Sequence, residues 1–588
     1  MVITQLCLQF LAFFATLNLP LCIILNIIVP FIFIFAKSSQ FYPLGYFSYL
    51  MTFTFLQLTP VNFSGLPYQL AVMIYSLLLF TVAIVLYNHN HAKVEIGFKS
   101  EQQGMNLLAS LIKQQIHTPN KILDLKPLQL IQQSLYKKAY ETRGRKHILS
   151  EEGRKHYLFA LMFQRAIYCI TYLNNLDNEL DIETKTFLLD FAHYMECVSS
   201  TNFYMPYDLK LKIQGEQLYK KSKQGNNDIF FQVEMILRVF LLIVENITTN
   251  ESSTNTWKVP YFTRIKEYIC HQLHPNSFEI RFALRMSAVL VIGMSYNLKV
   301  DATRSYWLAL NMFLLLRPMY EESNTRMKNR FFGTAIGCLL TSLLLLIIPN
   351  SLAHIFIGSI LAASTFVPMP GTILHTSLTT SFAVVMSSIA IDGMLASELR
   401  MFYVCIAILI VLVINKFFFP TSMGSQFKYN VQYMFHMHYT YLKLLEESMF
   451  HSVEYWRIGN AQIQYQLVYG QIKHFLEHCN KDNLPYSKEY YLSFFHILWN
   501  MFLEMEQMLF VMTQGNNVDF HTPILLANIN YWNGELRTIY KAIFSSTNNP
   551  VKTTISLGYS QQNSPLYQWM KQYNTNFAKL YQFVEYNH

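Results

Sequence analysis

The chain is expected to be all-α: a polytopic helical membrane protein with two membrane bundles, about four plus six spans, each followed by a cytoplasmic helical bundle. Three observations predict this. Hydrophobic residues make up 52% of the 588 residues and charged residues 14%, against about 25% charged in an average soluble domain. The charge is segregated: apolar stretches fill Thr4–Phe35, Phe41–Leu58, Leu70–Leu86 and Leu284–Phe419, whereas Lys93–Phe282 and Ser425–His588 hold most of the Lys, Arg, Asp and Glu. Between Tyr306 and Gly337 an apolar run ends at Arg317-Pro318, a basic loop follows, and a second apolar run opens at Gly333. The division that follows is a partial membrane bundle over 1–90, a cytoplasmic helical domain over 91–282, a six-helix membrane bundle over 283–420 and a second cytoplasmic helical domain over 421–588.

A bilayer is crossed by about 20 apolar residues in a helix, and roughly 17 suffice when the flanks snorkel. In the first block, candidate spans cover 4–18, 21–36, 41–58 and 68–87, separated by Pro20, by Lys37 to Ser39 and by Pro60 to Pro67. In the second they cover Arg285–Leu298, Ser305–Leu316, Phe331–Ile348, Leu352–Val367, Thr372–Ile391 and Arg400–Phe419. Lys37, Lys93, Lys99, the Arg317 to Arg330 cluster, Lys416 and Lys428 fall on one side of this arrangement, with Lys299 and Arg304 on the other. Basic flanks stay in the cytoplasm, so both polar blocks are expected there. The polar blocks read as helical bundles, because Glu101–Gln115, His156–Asn174, Phe230–Val244, Tyr429–Met449 and Leu492–Met512 repeat apolar residues at three- and four-residue spacing. The start of the chain remains apolar through two spans and is expected to be retained rather than cleaved.

Several function classes are set aside by the residues. The net charge of +9 comes with no zinc-finger spacing, RNP-like pattern or basic-helix repeat, so no nucleic-acid partner is expected. No Gly-rich phosphate loop or GxSxG elbow occurs, which argues against a nucleotide-driven motor and against an enzyme, and no cofactor is implied. The cysteines form no CxxC pair and read as free thiols. His474 and His478 share a helix face beside Cys479, but a closed zinc site needs four ligands, so no metal is expected; His89/His91 and His436/His438 point to different faces.

The candidate site residues lie in the second block. Arg317, beside Pro318 at a span end, either meets an organic carboxylate through its fork or anchors its helix to lipid phosphates. Asn311, inside the same span, must face protein or a polar path. Arg326 and Arg330 lie one helical turn apart, near Glu321 and Glu322. Gly333 and Gly337 form a GxxxG pair suited to close helix approach. His375, Thr376, Ser377, Thr379, Thr380 and Ser381, then Ser387 and Ser388, give a hydroxyl-rich run after the Pro368 to Gly371 break. That run suits either a substrate or proton path or interhelical packing. Asn311, Arg317, His375, Thr379 and Thr380 are the candidates for a substrate path.

The set Tyr306-Trp307, Arg317-Pro318, Thr325-Arg326, Arg330 and Gly333-Thr334-x-x-Gly337 resembles the fusaric-acid-resistance and aromatic-acid-exporter (FUSC) family, in particular its YccS-like branch. The stretch from Leu158 to Leu173 is similar to the family's helix after the first membrane unit. The resemblance implies two tandem six-helix membrane copies in a bacterial inner membrane, with cytoplasmic helical domains. It also implies proton-driven efflux of organic anions or aromatic carboxylic acids. Its partners would be membrane lipids, a small organic anion and further copies of the chain. Two departures stand out. The first block offers four candidate spans rather than six, as in a shortened member or one with a misplaced start. Arg400 is followed by Met401 to Cys405, where the family carries an Asp-Thr-x-x-Gly-like element. These departures keep open a non-transporting membrane scaffold for envelope integrity, and a passive anion channel remains a third reading.

Overall fold

The computed structural model describes residues 2–58, 60–91, 99–118, 123–142, 149–174, 180–200, 209–225, 227–248, 273, 277–300, 302–348, 351–478, 487–514, 522–544 and 565–585. Lys93, Cys270 and Cys479 lie outside these residues. Among them the regular structure is helical, apart from a single bridge between Ser39 and Tyr42. In chain order the helices are α1 (Val2–Leu17), α2 (Leu19–Lys37), α3 (Phe47–Leu58), α4 (Leu66–His91), α5 (Lys99–His117), α6 (Lys126–Glu141), α7 (Glu151–Asn174), α8 (Ile182–Ser199), α9 (Leu209–Gln224) and α10 (Asp228–Thr248). They continue as α11 (Phe278–Lys299), α12 (Tyr306–Leu315), α13 (Tyr320–Ile347), α14 (Ser351–Ser364), α15 (Ile373–Ser387), α16 (Gly393–Phe417), α17 (Met423–Ser448), α18 (Tyr455–His478), α19 (Lys488–Gln514), α20 (Thr522–Phe544) and α21 (Pro565–Glu585).

The chain forms two compact units, each built from two separate segments. The first joins residues 1–91 to 265–426, and the second joins 92–264 to 427–588. This overturns the expectation of two membrane bundles, each followed by its own helical bundle. In the first unit, α2 lies along α11. Leu8 and Ala12 of α1, Val29 of α2 and Leu50 and Phe53 of α3 share one core with Met286 and Leu290 of α11, Met312 of α12 and Ala407 and Val411 of α16. Polar contacts reinforce it: Asn26 Nδ2 donates to Gln57 Oε1 at 2.8 Å, and Ser287 Oγ donates to the Ile27 carbonyl at 3.1 Å. Away from water such bonds contribute on the order of 0.6 kcal/mol each, and tight apolar packing supplies the rest.

The span count is corrected as well. Among the described residues, four helices are long and apolar enough to cross a membrane, Leu19–Lys37, Leu66–Tyr87, Tyr320–Ile347 and Gly393–Phe417, in place of the expected four plus six. Five other apolar helices among these residues are shorter. The 10 residues of α12 rise about 15 Å and the 14 of α14 about 21 Å, short of a hydrocarbon core of about 30 Å. The 22 residues of α11 include Glu279, Arg281, Arg285 and Lys299, too much charge for a lipid-exposed span. Apolar composition alone does not separate a helix that crosses lipid from a short one packed among its neighbours.

Helix starts follow local chemistry. Asn18, Ser277, Thr372 and Asp392 accept backbone N–H bonds at the first turns of α2, α11, α15 and α16, satisfying donors that have no carbonyl of their own.

The second unit holds α5–α10 and most of α17 to α21. Its interior is polar as well as aromatic. Arg165 of α7 pairs with Glu506 of α19 at 2.7 Å with both side chains buried, and its guanidinium stacks 4.1 Å from the Phe510 ring centre. Tyr157 donates to Gln462, Gln466 donates to Gln164 at 3.0 Å, and Trp499 donates to Gln466 at 3.0 Å. The Tyr157–Gln462 and Gln466–Gln164 bonds and the Arg165–Glu506 pair knit residues 92–264 to 427–588. An amphipathic helix pattern finds each helix but leaves its partner open.

Candidate functional site

Arg317 lies just beyond α12, after the cap residue Leu316, and the chain turns there because Pro318 cannot continue a helix. The turn is held from three sides. Ser323 Oγ accepts from the Arg317 N–H at 2.9 Å, and the same hydroxyl reaches the Arg317 carbonyl at 3.2 Å. The Pro318 carbonyl accepts from Nη2 of Arg285, whose Nη1 donates to Asn415 Oδ1 at 2.9 Å. Arg285 is fully buried, so the end of α12 is braced from α11 and α16 by a charged fork with both ends occupied.

The Arg317 side chain is buried, lies 5.4 Å from the Phe47 ring centre and leaves its Nε without a partner. Arg326 and Arg330 rise from α13 one turn apart. Arg330 donates from Nε at 3.3 Å and from Nη2 at 3.0 Å to Asn311 Oδ1, and Asn311 Nδ2 donates to the Trp307 carbonyl at 2.8 Å. Arg326 lies against Gly371, which has φ +92°. A Cβ there would come 3.3 Å from the guanidinium carbon, a contact a flexible side chain can relieve, so it is the positive φ that calls for glycine. Asn329 Nδ2 donates to the Gly371 carbonyl at 2.9 Å and fixes the break before α15.

These groups enclose a cavity of about 380 Å³, within the usual range for small-ligand sites. Arg317, Arg326, Arg330 and His375 supply its polar wall, and Leu44, Phe47, Met51 and Leu314 its apolar wall. The first turn of α15 borders it at His375 and Thr376, adding the positive end of a helix dipole. Among the described residues none of the three arginines has a carboxylate within 4.0 Å. Glu322 is the acidic group within electrostatic reach of Arg317 and Arg326. The cavity thus presents excess positive charge beside an apolar surface, the complement of an anion with an apolar body.

Of the residues singled out in the sequence, Arg317, Arg326, Arg330, His375 and Thr376 border the cavity, and Asn311 touches it through Arg330. Thr379 bonds to the Thr376 carbonyl at 3.0 Å, and Thr380 is buried against Thr334 at 3.4 Å; neither borders the cavity. The hydroxyl run of α15 packs mostly on α13. A Cβ on Gly333 would fall 2.6 Å from Thr376 Cβ, one on Gly337 would fall 2.6 Å from the Ser377 carbonyl oxygen, and Ser381 Oγ donates to the Gly337 carbonyl at 3.2 Å. Thr325 bonds within its own helix, and Tyr306 stands edge-on to Trp307. His474 and His478 stack with ring centres 4.2 Å apart, and among the described residues no group of three or more potential metal ligands occurs.

Sequence reasoning missed the bracing role of Arg285 and the place of Arg400, which is 3% exposed with its guanidinium 4.9 Å from the Trp307 ring centre. The available signal was a cation inside an otherwise apolar helix, a functional flag in itself.

The fold and site define a multi-pass helical membrane protein with a guanidinium-lined cavity. Residues 287–414 match a family model described as fusaric acid resistance protein-like, so a domain of that family is present over α11 to α16. No curated protein and no solved structure matches the chain.

Proposed function

We propose that the unit formed by residues 1–91 and 265–426 is transporter-like and exports organic anions, aromatic carboxylic acids among them, across a bacterial inner membrane under the proton gradient. The observation that carries this reading is the cavity of Arg317, Arg326 and Arg330, with no carboxylate within ion-pair distance among the described residues, against Phe47, Met51 and Leu314. A carboxylate would take the forks and an aromatic ring the apolar wall. The family match over 287–414 supports the same class. The basic flanks Lys37 and Lys416 support a cytoplasmic position for the helical unit of residues 92–264 and 427–588.

Purified full-length protein in liposomes, loaded with radiolabelled benzoate under an imposed pH gradient, tests this. Gradient-dependent flux that falls about tenfold or more in Arg317→Gln or Arg330→Gln is expected, the size of a lost charged hydrogen bond. Flux without gradient dependence would identify a passive anion channel. The tight packing of the α15 hydroxyls on Gly333 and Gly337 favours a second reading, a membrane scaffold, and absence of any flux would select it.

A further inference from the structure

Arg400, in the first third of α16, has no role in the cavity wall and no ion pair among the described residues. It is 3% exposed, and its Nε and Nη1 have no hydrogen-bond partner. A buried, uncompensated guanidinium is costly unless something supplies negative charge. Stacking on Trp307 at 4.9 Å satisfies the face of the group but none of its N–H donors. Arg400 is also linked to the cavity through contacts already described. Its ring partner Trp307 offers its carbonyl to Asn311, and Asn311 holds Arg330, which borders the cavity. Arg330 is within electrostatic reach of both Arg326 and Arg400. Within electrostatic reach of Arg400 lie the Cys338 thiol and the Tyr306 hydroxyl, and Cys338 Sγ points to the Ser397 carbonyl at 3.6 Å.

We propose that Arg400 is a second, inner binding position for a small monoanion, reached from the cavity by way of Arg330. It takes the charged head of the anion that the cavity admits, so the assignment rests on reading that cavity as an anion site. The open N–H donors of Arg400 face no acceptor in the described protein. An incoming carboxylate or halide completes them and offsets the repulsion between the neighbouring guanidiniums of Arg330 and Arg400.

Trp307 offers a direct readout, since iodide quenches tryptophan emission on contact. The experiment titrates the full-length protein in lipid nanodiscs with sodium iodide at constant ionic strength, and Trp307→Phe isolates the component owed to Trp307. Saturable quenching of Trp307 is expected, becoming linear in Arg400→Gln and shifting at least fivefold to higher iodide in Arg400→Lys, where a point charge replaces the fork. An unchanged curve in Arg400→Gln, or no component from Trp307, overturns the proposal. If Arg400→Gln does not assemble, Arg400→Lys decides: a shifted midpoint supports the assignment and an unshifted one overturns it. Saturable quenching without benzoate flux would remove transport and leave Arg400 assigned. Flux with an unaltered quench curve would remove Arg400 alone.

Discussion

Arg330 places two N–H donors on the single Oδ1 of Asn311, at 3.3 Å and 3.0 Å. This bond, between α13 and α12, sets the direction of a guanidinium that would otherwise swing freely across the cavity. Asn311→Leu keeps the branched outline, at a larger volume, and removes the acceptor. Benzoate binding to the purified protein is expected to weaken about tenfold, as for loss of one hydrogen bond to a charged group. An unchanged dissociation constant would show that Arg330 needs no such holder.

The close approach of α13 and α15 gives a second expectation. Gly337→Ala would push a methyl to 2.6 Å from the Ser377 carbonyl oxygen, a backbone atom that cannot rotate away. Overpacking of this kind costs about 1–3 kcal/mol, so thermal denaturation in nanodiscs should occur several degrees lower than in the parent. Gly534→Ala, inside α20 with no atom within 4 Å of the added methyl, is the comparison and should hold or slightly raise the midpoint, because alanine favours a helix interior.

Breaking the buried pair Arg165–Glu506 is expected to be expensive on either side. Glu506→Ala strands a guanidinium that is 2% exposed, at a cost of about 3–5 kcal/mol. The double replacement Arg165→Met with Glu506→Leu removes both charges and should recover much of that loss. Urea unfolding of the full-length protein, followed by the emission of the buried tryptophans, reads the difference. Equal losses in the single and double variants would count against a pair that matters through its unmatched partner.

Two buried groups in the same unit define a pH dependence. Burial pushes the Glu504 carboxyl up to about 8, although it accepts from Asn576 at 2.6 Å and from Tyr168 at 3.2 Å. The folded protein therefore keeps this proton where the unfolded chain, titrating near 4.5, has released it. The contribution is full below 4.5 and lost as pH rises through 8. Burial pushes His438 down to about 3, against 6.5 unfolded. Its contribution is full above 6.5 and lost as pH falls toward 3. Glu504→Gln should therefore raise the melting temperature relative to the parent at pH 9 and have little effect at pH 4. A difference of the same size at both values would contradict the assignment.

Much of the local chemistry was legible in the sequence. Arg317-Pro318 reads as a helix end, Gly333 and Gly337 as a close contact, and the turn between them as basic, because each depends on residues a few positions apart. The span count was not legible, since α12 and α14 are as apolar as spanning helices but shorter. Nor was the pairing of α2 with α11, or the brace from Arg285 to Pro318 and Asn415, because contacts between distant segments leave no local periodicity. Within the candidate site, Arg326, Arg330 and His375 converge with Leu44 and Phe47 of the first segment, a meeting that only the assembled core reveals.

The division of each unit between two stretches of chain has a consequence for biogenesis. Arg165 and Glu506 are 341 positions apart. A ribosome adding 5–20 residues per second exposes the arginine roughly 17–70 s before its counterion exists. Asn26 and Gln57 are likewise synthesised well ahead of α11. The nascent first half can complete its packing only once the second half has been made.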